Sequence, residues 1–323
     1  MKTKRDFLTL SDLSKDELTA LMRRTKVLKE ARAQRRLMRT LEGRTLVLIF
    51  EKASTRTRLS FEVAMAQLGG HCITLPTQDS QMNRGEPLAD TARVTSRYAD
   101  CIMMRTFADK RLREFAAAAT VPVINGLTDG GHPVQLLADL FTVEERLGGI
   151  AGKTIAFVGD TASNMGRSYC EAAKLFGFTF KVASPEGYRP AADVMNAQVQ
   201  ICASPQDAVG GADVVVTDVW TSMGQEAEKD ARLKAFKGYC VDAALMKKAA
   251  PHAIVLHCLP AHRGEEITAD VIDGPQSAAW DEAENRLHVQ KALLETLVLE
   301  SERNAGVHDA AQADDEMGID AQA

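Results

Sequence analysis

No Cys-x-x-Cys pair occurs anywhere in the 323 residues; the six cysteines stand apart at 72, 101, 170, 202, 240 and 258. That scatter fits reduced, mostly buried thiols in a cytoplasmic protein and not a disulfide framework. No apolar run is long enough to span a bilayer, and none near the N-terminus resembles a signal peptide. An excess of positive charge is also missing: 39 Lys and Arg against 44 Asp and Glu give a formal net charge of −5. Broad attraction to nucleic acid or to a membrane surface is therefore not expected. The one basic stretch, 26–39, carries Lys26, Lys29, Arg32, Arg35, Arg36 and Arg39, whose spacing suits the wet face of an N-terminal helix. No G-x-x-x-x-G-K-[ST] run exists, which disfavours a P-loop nucleotide enzyme. The turn at 157–166 looks like a dinucleotide turn after a strand but lacks the second glycine of G-x-G-x-x-G, Thr161 standing there. A nicotinamide enzyme stays open only as a runner-up from another class. No repeat of 20–50 residues is apparent.

The remaining composition, 45% hydrophobic and 26% charged, is that of a soluble globular protein, and the length suits two domains. Strand-like apolar runs at 45–50, 71–75, 101–105 and 121–124 alternate with helix-like stretches, the last at 133–147. Glycine punctuation at 147–152 marks a hinge or boundary. The alternation then restarts with strands at 178–183, 214–219 and 254–259 after a first one at 154–158. Continuous apolar strands between helices argue for parallel sheets covered by helices. The expected fold is α/β: two tandem domains, each a parallel sheet covered by helices, with the active site in the cleft between them. The expected bounds are 1–147 and 148–285, a C-terminal helix 286–303 packing back on the first domain, and an acidic, disordered tail at 304–323.

Ligands of open α/β sheets bind outside the carboxyl ends of the strands. Five polar clusters fall at such ends. Ser54-Thr55-Arg56-Thr57-Arg58 follows 45–50 and opens a helix expected to run to Leu68. Backbone N–H groups at a helix start carry partial positive charge, so hydroxyls and guanidiniums added there make a phosphate cradle. Arg56 and Arg58 lie about 200° apart on a helix, so Arg56 is assigned to the ligand and Arg58 to an ion pair. Arg105 ends the third run, and His132-Pro-Val-Gln135 opens the helix after the fourth. These cations and donors suit a small phosphorylated substrate, with His132 or Thr57 polarising a carbonyl oxygen. Asp218, followed by Thr221-Ser222-Met223-Gly224, and Asn164 suit a cationic, amino-acid-like partner. Asp218 can pair with an α-ammonium group and Asn164 can donate to a carboxylate. The fifth cluster is His257-Cys258-Leu259-Pro260.

Each cluster also has a plainer explanation. Ser54 or Thr55 can simply cap a helix, His132 can be structural, and Asp218 can close a turn. His257, Cys258 and His262 raise the question of zinc, but adjacent residues on a strand point to opposite faces, so no metal is expected. Cys258 as a nucleophile would need an activating base or a lowered pKa. A regulatory ligand-binding protein is the non-catalytic alternative.

These clusters, in this order, resemble the aspartate/ornithine carbamoyltransferase family over nearly the whole chain, to about residue 300. Ser54-Thr-Arg-Thr-Arg58 and His132-Pro-Val-Gln135 are similar to the carbamoyl-phosphate motifs of the wider family. Asp218-Val-Trp-Thr-Ser-Met-Gly224 and His257-Cys-Leu-Pro260 are similar to its ornithine branch. The resemblance implies transfer of the carbamoyl group of carbamoyl phosphate to the δ-amine of L-ornithine, giving citrulline and phosphate, without metal or other cofactor. It implies that Ser54, Thr55, Arg56 and Thr57 bind carbamoyl phosphate and that Arg105, His132 and Gln135 grip its carbonyl end. Asn164, Asp218, Ser222 and Met223 would hold ornithine. Cys258 and Leu259 would lie between the substrates, Leu259 through its backbone, and Arg286 would return to the carbamoyl group. Gln81 would reach the site of a neighbouring subunit, which implies a homotrimer or a multiple of one. A transcarbamylase for N-acetylornithine or putrescine is the rival within the family.

Overall fold

The structure, a computed structural model, describes residues 4–76, 81–222 and 226–306. Met223, the loop residues 77–80 and the acidic tail from 307 lie outside the described residues. The chain divides into two compact units: one gathers residues to 8, 19–126 and 290 onward, the other 9–18 and 127–289. The glycine-rich stretch 147–152 therefore falls inside the second unit.

In chain order the helices and strands are α1 (Lys15–Ala33), β1 (Thr45–Phe50), α2 (Thr55–Gln67), β2 (His71–Pro76), α3 (Leu88–Thr95), β3 (Cys101–Arg105), α4 (Asp109–Ala118) and β4 (Val123–Leu127). There follow α5 (Pro133–Leu147), β5 (Thr154–Val158), α6 (Asn164–Phe176), β6 (Thr179–Ala183), β7 (Val199–Ile201), α7 (Pro205–Val209) and β8 (Val214–Val216). The last are α8 (Lys229–Ala235), α9 (Ala243–Met246), β9 (Ile254–Leu256), α10 (Ala269–Ile272) and α11 (Ala279–Ala305).

The first sheet has the order β2-β1-β3-β4 and the second β7-β6-β5-β8-β9. β1 pairs in parallel with β2 and β3, and β5 with β6 and β8. This is the expected class, two parallel sheets covered by helices. Central strands carry helices on both faces, so β3 is buried throughout and β5 at four of its five residues. The edge strands β2 and β7 are largely open to solvent. In the first unit Val47, Ile49, Ile102, Met104 and Val123 pack with Leu112 and Phe115 of α4. In the second, Val158, Val215 and Val255 pack with Val209, Leu245 and Ile272. Such burial of continuous apolar strands is the main favourable term for each unit.

Several element bounds depart from the sequence expectation, each for a local reason. β4 begins at 123 and not 121, because Pro122 has no N–H and offers only its carbonyl, to Ile102 N–H at 2.9 Å. β6 begins one residue late, at 179. β8 ends at 216 and β9 at 256, where their ladder stops at the Val216–Leu256 pair. Beyond it Leu259 takes a left-handed φ of 57°. α11 starts at 279, ahead of the expected 286, with Asp281 and Glu282 in its first turn, where acids favour a helix start. β7 was not expected at all. α1 ends at 33, so only Lys26, Lys29 and Arg32 of the basic stretch are helical, and Arg35, Arg36 and Arg39 lie beyond it, exposed.

Within the first unit the C-terminal part of α11 is tied down by charge. Arg24 makes a two-pronged contact to Glu295 at 2.6 and 2.8 Å, and Arg44 bonds Glu302. Lys291 is buried and donates to Gln67 Oε1 at 3.1 Å.

Candidate active site

A chain that leaves a central strand for opposite sides of a parallel sheet opens a crevice at the carboxyl ends of the two strands flanking the reversal. Strand order places one such switch point between β1 and β3 and the other between β5 and β8. The polar clusters sit at these two points.

At the first, Ser54 caps α2: its Oγ accepts from Thr57 N–H at 3.3 Å. The capping role considered for Ser54 is thus real, and it leaves the other N–H groups of the first turn aimed past the end of β1. Thr55 is exposed, Thr57 buried and Arg56 half-buried. Arg58 is exposed and paired with Glu62 at 2.9 Å, one helical turn on. Arg105 is the register partner of Phe50, the last residue of β1, and is buried. Glu51 N–H donates to the Arg105 carbonyl at 2.9 Å. The Glu51 carboxylate is taken by Arg111 at 2.5 Å and by Thr106. Gln81 is exposed on the short turn after β2.

The second unit carries the other residues. His132 immediately precedes α5, which has proline in its first turn; His132 is buried, and its N–H donates to Ser168 Oγ at 2.9 Å. Gln135 is fully buried. Its Nε2 donates to Asp139 Oδ1 at 2.8 Å and to Glu282 Oε1 at 2.7 Å. Both donors are consumed, and Oε1 is a buried acceptor with no partner among the described residues. Tyr169 donates to Asp139 Oδ2 at 2.7 Å, and His257 N–H to Glu282 Oε2 at 2.8 Å. Burial raises the Asp139 carboxyl to about 6; burial and then the nearness of Asp139 raise Glu282 well above the usual carboxylate range. Arg286, also buried, sits close enough to both to pull the other way.

At the β5/β8 switch point, Asn164 begins α6 and donates to the Thr128 carbonyl at 3.2 Å. Gly166 is required there, because a Cβ would run into the Thr161 backbone. Asp218 Oδ1 accepts from Val219 N–H at 2.8 Å and from Cys258 Sγ at 3.2 Å. Burial raises the Asp218 carboxyl, and burial and then Asp218 raise the Cys258 thiol well above its usual range. Cys258 thus lacks the lowered pKa that a nucleophilic role would require. The loop that carries Ser222 is anchored by Trp220, stacked on Phe236, and by Arg232, which binds the Trp220 carbonyl at 3.0 Å and Asp160 at 2.8 Å.

The metal question has a geometric answer different from the one expected. Residues 257 and 258 lie past the end of β9, so their side chains do not alternate, and ligand atoms of Asp218, His257 and Cys258 come within 4.8 Å of one another. However, His257 Nδ1 accepts from Leu259 N–H at 2.9 Å, so its proton is on Nε2, which faces Glu266 at 3.0 Å. Neither nitrogen has a lone pair to offer a metal.

The structure thus brings Ser54, Thr55, Arg56, Thr57 and Arg105 to one switch point, and Asn164, Asp218, Ser222 and Cys258 to the other. Gln135 and Arg286 gather about the Asp139–Glu282 pair, and His132, just ahead of Gln135 at the start of α5, is held through its N–H by Ser168. Sequence reasoning missed Asp139, Glu282, Tyr169 and the Asp160–Arg232 pair. Two of these had a usable signal: Gln135/Asp139 and Glu282/Arg286 are both i, i+4 pairs that share a helix face.

Comparison with known proteins gives a consistent set of relatives. Residues 5–145 match the family model "Aspartate/ornithine carbamoyltransferase, carbamoyl-P binding domain", and residues 151–297 match its companion Asp/Orn binding domain. The chain is 56% identical over 298 residues to an ornithine carbamoyltransferase of Herminiimonas arsenicoxydans, covering 91% of this chain and 97% of that one. The crystal structure of ornithine carbamoyltransferase from Burkholderia thailandensis superimposes with a TM-score of 0.85 at 47% identity, over 92% of this chain and 99% of that one. The Pyrococcus furiosus enzyme of the same name gives 0.86 at 48% identity, over 90% and 96%.

Proposed function

Because the chain belongs to the aspartate/ornithine carbamoyltransferase family, we propose that it transfers the carbamoyl group of carbamoyl phosphate to the δ-amine of L-ornithine, yielding citrulline and phosphate. The observation that carries this reading is the division of chemistry between the two switch points. N–H groups and guanidiniums stand at the first, and a carboxylate with small polar groups stands at the second.

Carbamoyl phosphate is bound through its phosphate by Ser54, Thr55, Arg56 and Thr57 at the start of α2, with Arg105 beside them. His132 and Arg105 polarise the carbonyl oxygen. The carbamoyl NH2 donates to the open Gln135 Oε1 and to the Leu259 carbonyl, while Arg286 and Cys258 complete the pocket. Asp218 takes the α-ammonium of ornithine, and Asn164, Ser222 and Met223 take the remaining polar groups. Gln81 serves the site of a neighbouring subunit in a homotrimer or a multiple of one.

The carbamoyl group arrives activated as a mixed anhydride, so neither a cofactor nor a covalent enzyme intermediate is needed. The product, citrulline, fits a role in arginine metabolism, and the scattered cysteines without a Cys-x-x-Cys pair fit a cytoplasmic enzyme. The nucleophile is the obstacle. An alkylamine like that of Lys has a pKa near ~10.4, so about one molecule in a few thousand is neutral at pH 7. A site that excludes water favours the neutral form. As the δ-nitrogen bonds to the carbonyl carbon and the C–O bond to phosphate breaks, the departing phosphate takes the amine proton. Arg56, Arg105 and His132 stabilise the charge that develops, at roughly 2–4 kcal/mol each.

A citrulline assay with carbamoyl phosphate and a panel of amines tests the reading. Ornithine alone should react; preference for N-acetylornithine or putrescine, or no citrulline-type product at all, overturns it. Light scattering should give three chains or a multiple, and a fully active monomer would refute the role given to Gln81.

A further inference from the structure

The carbonyl-binding side of the second unit rests on a buried acid pair that the reaction itself does not use. Every oxygen of Asp139 and Glu282 accepts one hydrogen bond: from Gln135 Nε2 at 2.8 and 2.7 Å, from Tyr169 OH at 2.7 Å and from His257 N–H at 2.8 Å. Glu282 is therefore a bridge. One oxygen fixes the Gln135 amide by its nitrogen and so leaves Oε1 as the acceptor without a partner among the described residues. The other holds the backbone at His257, where the chain turns into Cys258 and Leu259.

Charge counting limits how this pair can exist. Both carboxyl groups are essentially inaccessible, and one amide nitrogen, Gln135 Nε2, donates to an oxygen of each. Two ionised carboxylates drawn to one donor in a buried site repel each other, and a single proton on the pair removes that repulsion. The groups facing the pair are Tyr169 from α6, Cys258 from the turn after β9, with Asp218 behind it, and Arg286 from α11 itself. Tyr169 and Cys258 are both held neutral by burial, and Arg286 supplies the single positive charge. Two carboxylates against one guanidinium leave a net −1 in a buried site, and one proton brings the cluster to zero. An uncompensated buried charge is costly, whereas a neutral hydrogen-bonded cluster is not.

We infer that Asp139 and Glu282 share one proton, and that this proton keeps the Gln135 amide and the His257–Leu259 turn in their carbamoyl-binding geometry. Asp139 and Glu282 are positioning residues; they touch no substrate atom. When the shared proton leaves to bulk water at alkaline pH, the two anions repel. Glu282 then releases Gln135 and the turn together. The functional consequence rests on the activity proposed above, but the shared proton does not.

Infrared spectroscopy and steady-state kinetics on the full-length protein separate the two. At neutral pH the wild type should show a carboxylic-acid C=O band that shifts in D2O and is absent from both Glu282→Gln and Asp139→Asn. Absence of such a band overturns the shared proton whatever the enzyme's substrate. The KM for carbamoyl phosphate should rise at least tenfold as the band disappears at alkaline pH, with a smaller change in kcat. Glu282→Gln removes the titrating group and keeps one of the two acceptor oxygens, so it should lose that alkaline limb, while Glu282→Ala, which keeps neither, should show a KM at least tenfold above Glu282→Gln at every pH. If Glu282→Gln keeps the wild-type limb, or Glu282→Ala matches it, the positioning role fails. Asp139→Asn supplies the same tests should Glu282→Gln not fold.

Discussion

Replacing Asp218 with Asn should weaken ornithine binding and stabilise the protein at the same time. Asp218 Oδ1 already accepts from Val219 N–H at 2.8 Å and from Cys258 Sγ at 3.2 Å, and an amide oxygen in the same place can keep both bonds. Asp218→Asn therefore changes the charge with little change of shape. A hydrogen bond to a charged partner is worth about 1.5–3 kcal/mol, and each 1.4 kcal/mol is a factor of ~10 in affinity. The KM for ornithine should rise roughly 10- to 150-fold, while that for carbamoyl phosphate stays within about threefold.

The pH dependence gives the sign of the second effect. Burial raises the Asp218 carboxyl above its unfolded value. A carboxyl of that kind imposes no cost below the unfolded pKa, and its cost grows as pH rises through the folded pKa. At pH 7 the ionised side chain is a net burden in the free protein, so thermal denaturation should give Asp218→Asn a higher Tm than wild type, with the gap closing as pH falls. In the wild type, ornithine binding should also weaken on the acid side as Asp218 takes up a proton, and the variant should lack that limb. Equal increases in both KM values, or a lower Tm at pH 7 with ornithine affinity intact, would show that Asp218 holds the turn together and does not receive the ammonium.

The two arginines of the first cluster should separate cleanly. Arg56→Gly should cut kcat/KM for carbamoyl phosphate by at least ~100-fold, as expected for a lost transition-state contact of ~2.7 kcal/mol or more, with the circular dichroism spectrum retained; Arg58→Met loses only the Glu62 pair and should stay within about threefold of wild type. Arg232→Met leaves Asp160 buried without its cation and should cost about 3–5 kcal/mol in denaturant unfolding, most of which Asp160→Asn on the same chain should restore; additive losses would refute the coupling. Burial pulls the Lys291 amine down to about 8. Its charge therefore penalises folding fully below that pH and ever less toward its unfolded pKa near ~10.4, so the stability of wild type relative to Lys291→Met should climb across that interval, and a flat difference would refute the burial argument.

What could be read from the sequence follows from where each segment sits in its sheet. β1, β3 and β5 are central strands covered on both faces, so their apolar runs are continuous, and their expected bounds match the structure. β7 is a three-residue edge with Gln200 and Ile201 exposed, and nothing in its composition separates it from loop. The ends of β8 and β9 were overestimated because apolar character continues past the last ladder pair: Val219 and Leu259 are apolar, but their backbone serves the site and not the sheet.

Buried polar residues are the harder case, because a sequence pattern equates polar with wet. Gln135 and His132 stood out only as neighbours of a proline at a helix start. Asp139, on the same helix, and Glu282, ahead of the expected helix start at 286, were not singled out at all. Both are as deeply buried as the leucines beside them. Their burial becomes intelligible only when α5, α6, α11 and the turn after β9 are brought together, since each supplies one donor or one charge to a cluster that none could neutralise alone. The same holds for Asp160, whose cation, Arg232, lies 72 residues away in the chain. Motifs that touch a ligand can be recognised locally because the ligand imposes their spacing. Residues that hold those motifs in place answer to the packing of several segments at once, so their identity is a property of the fold and not of any stretch of sequence.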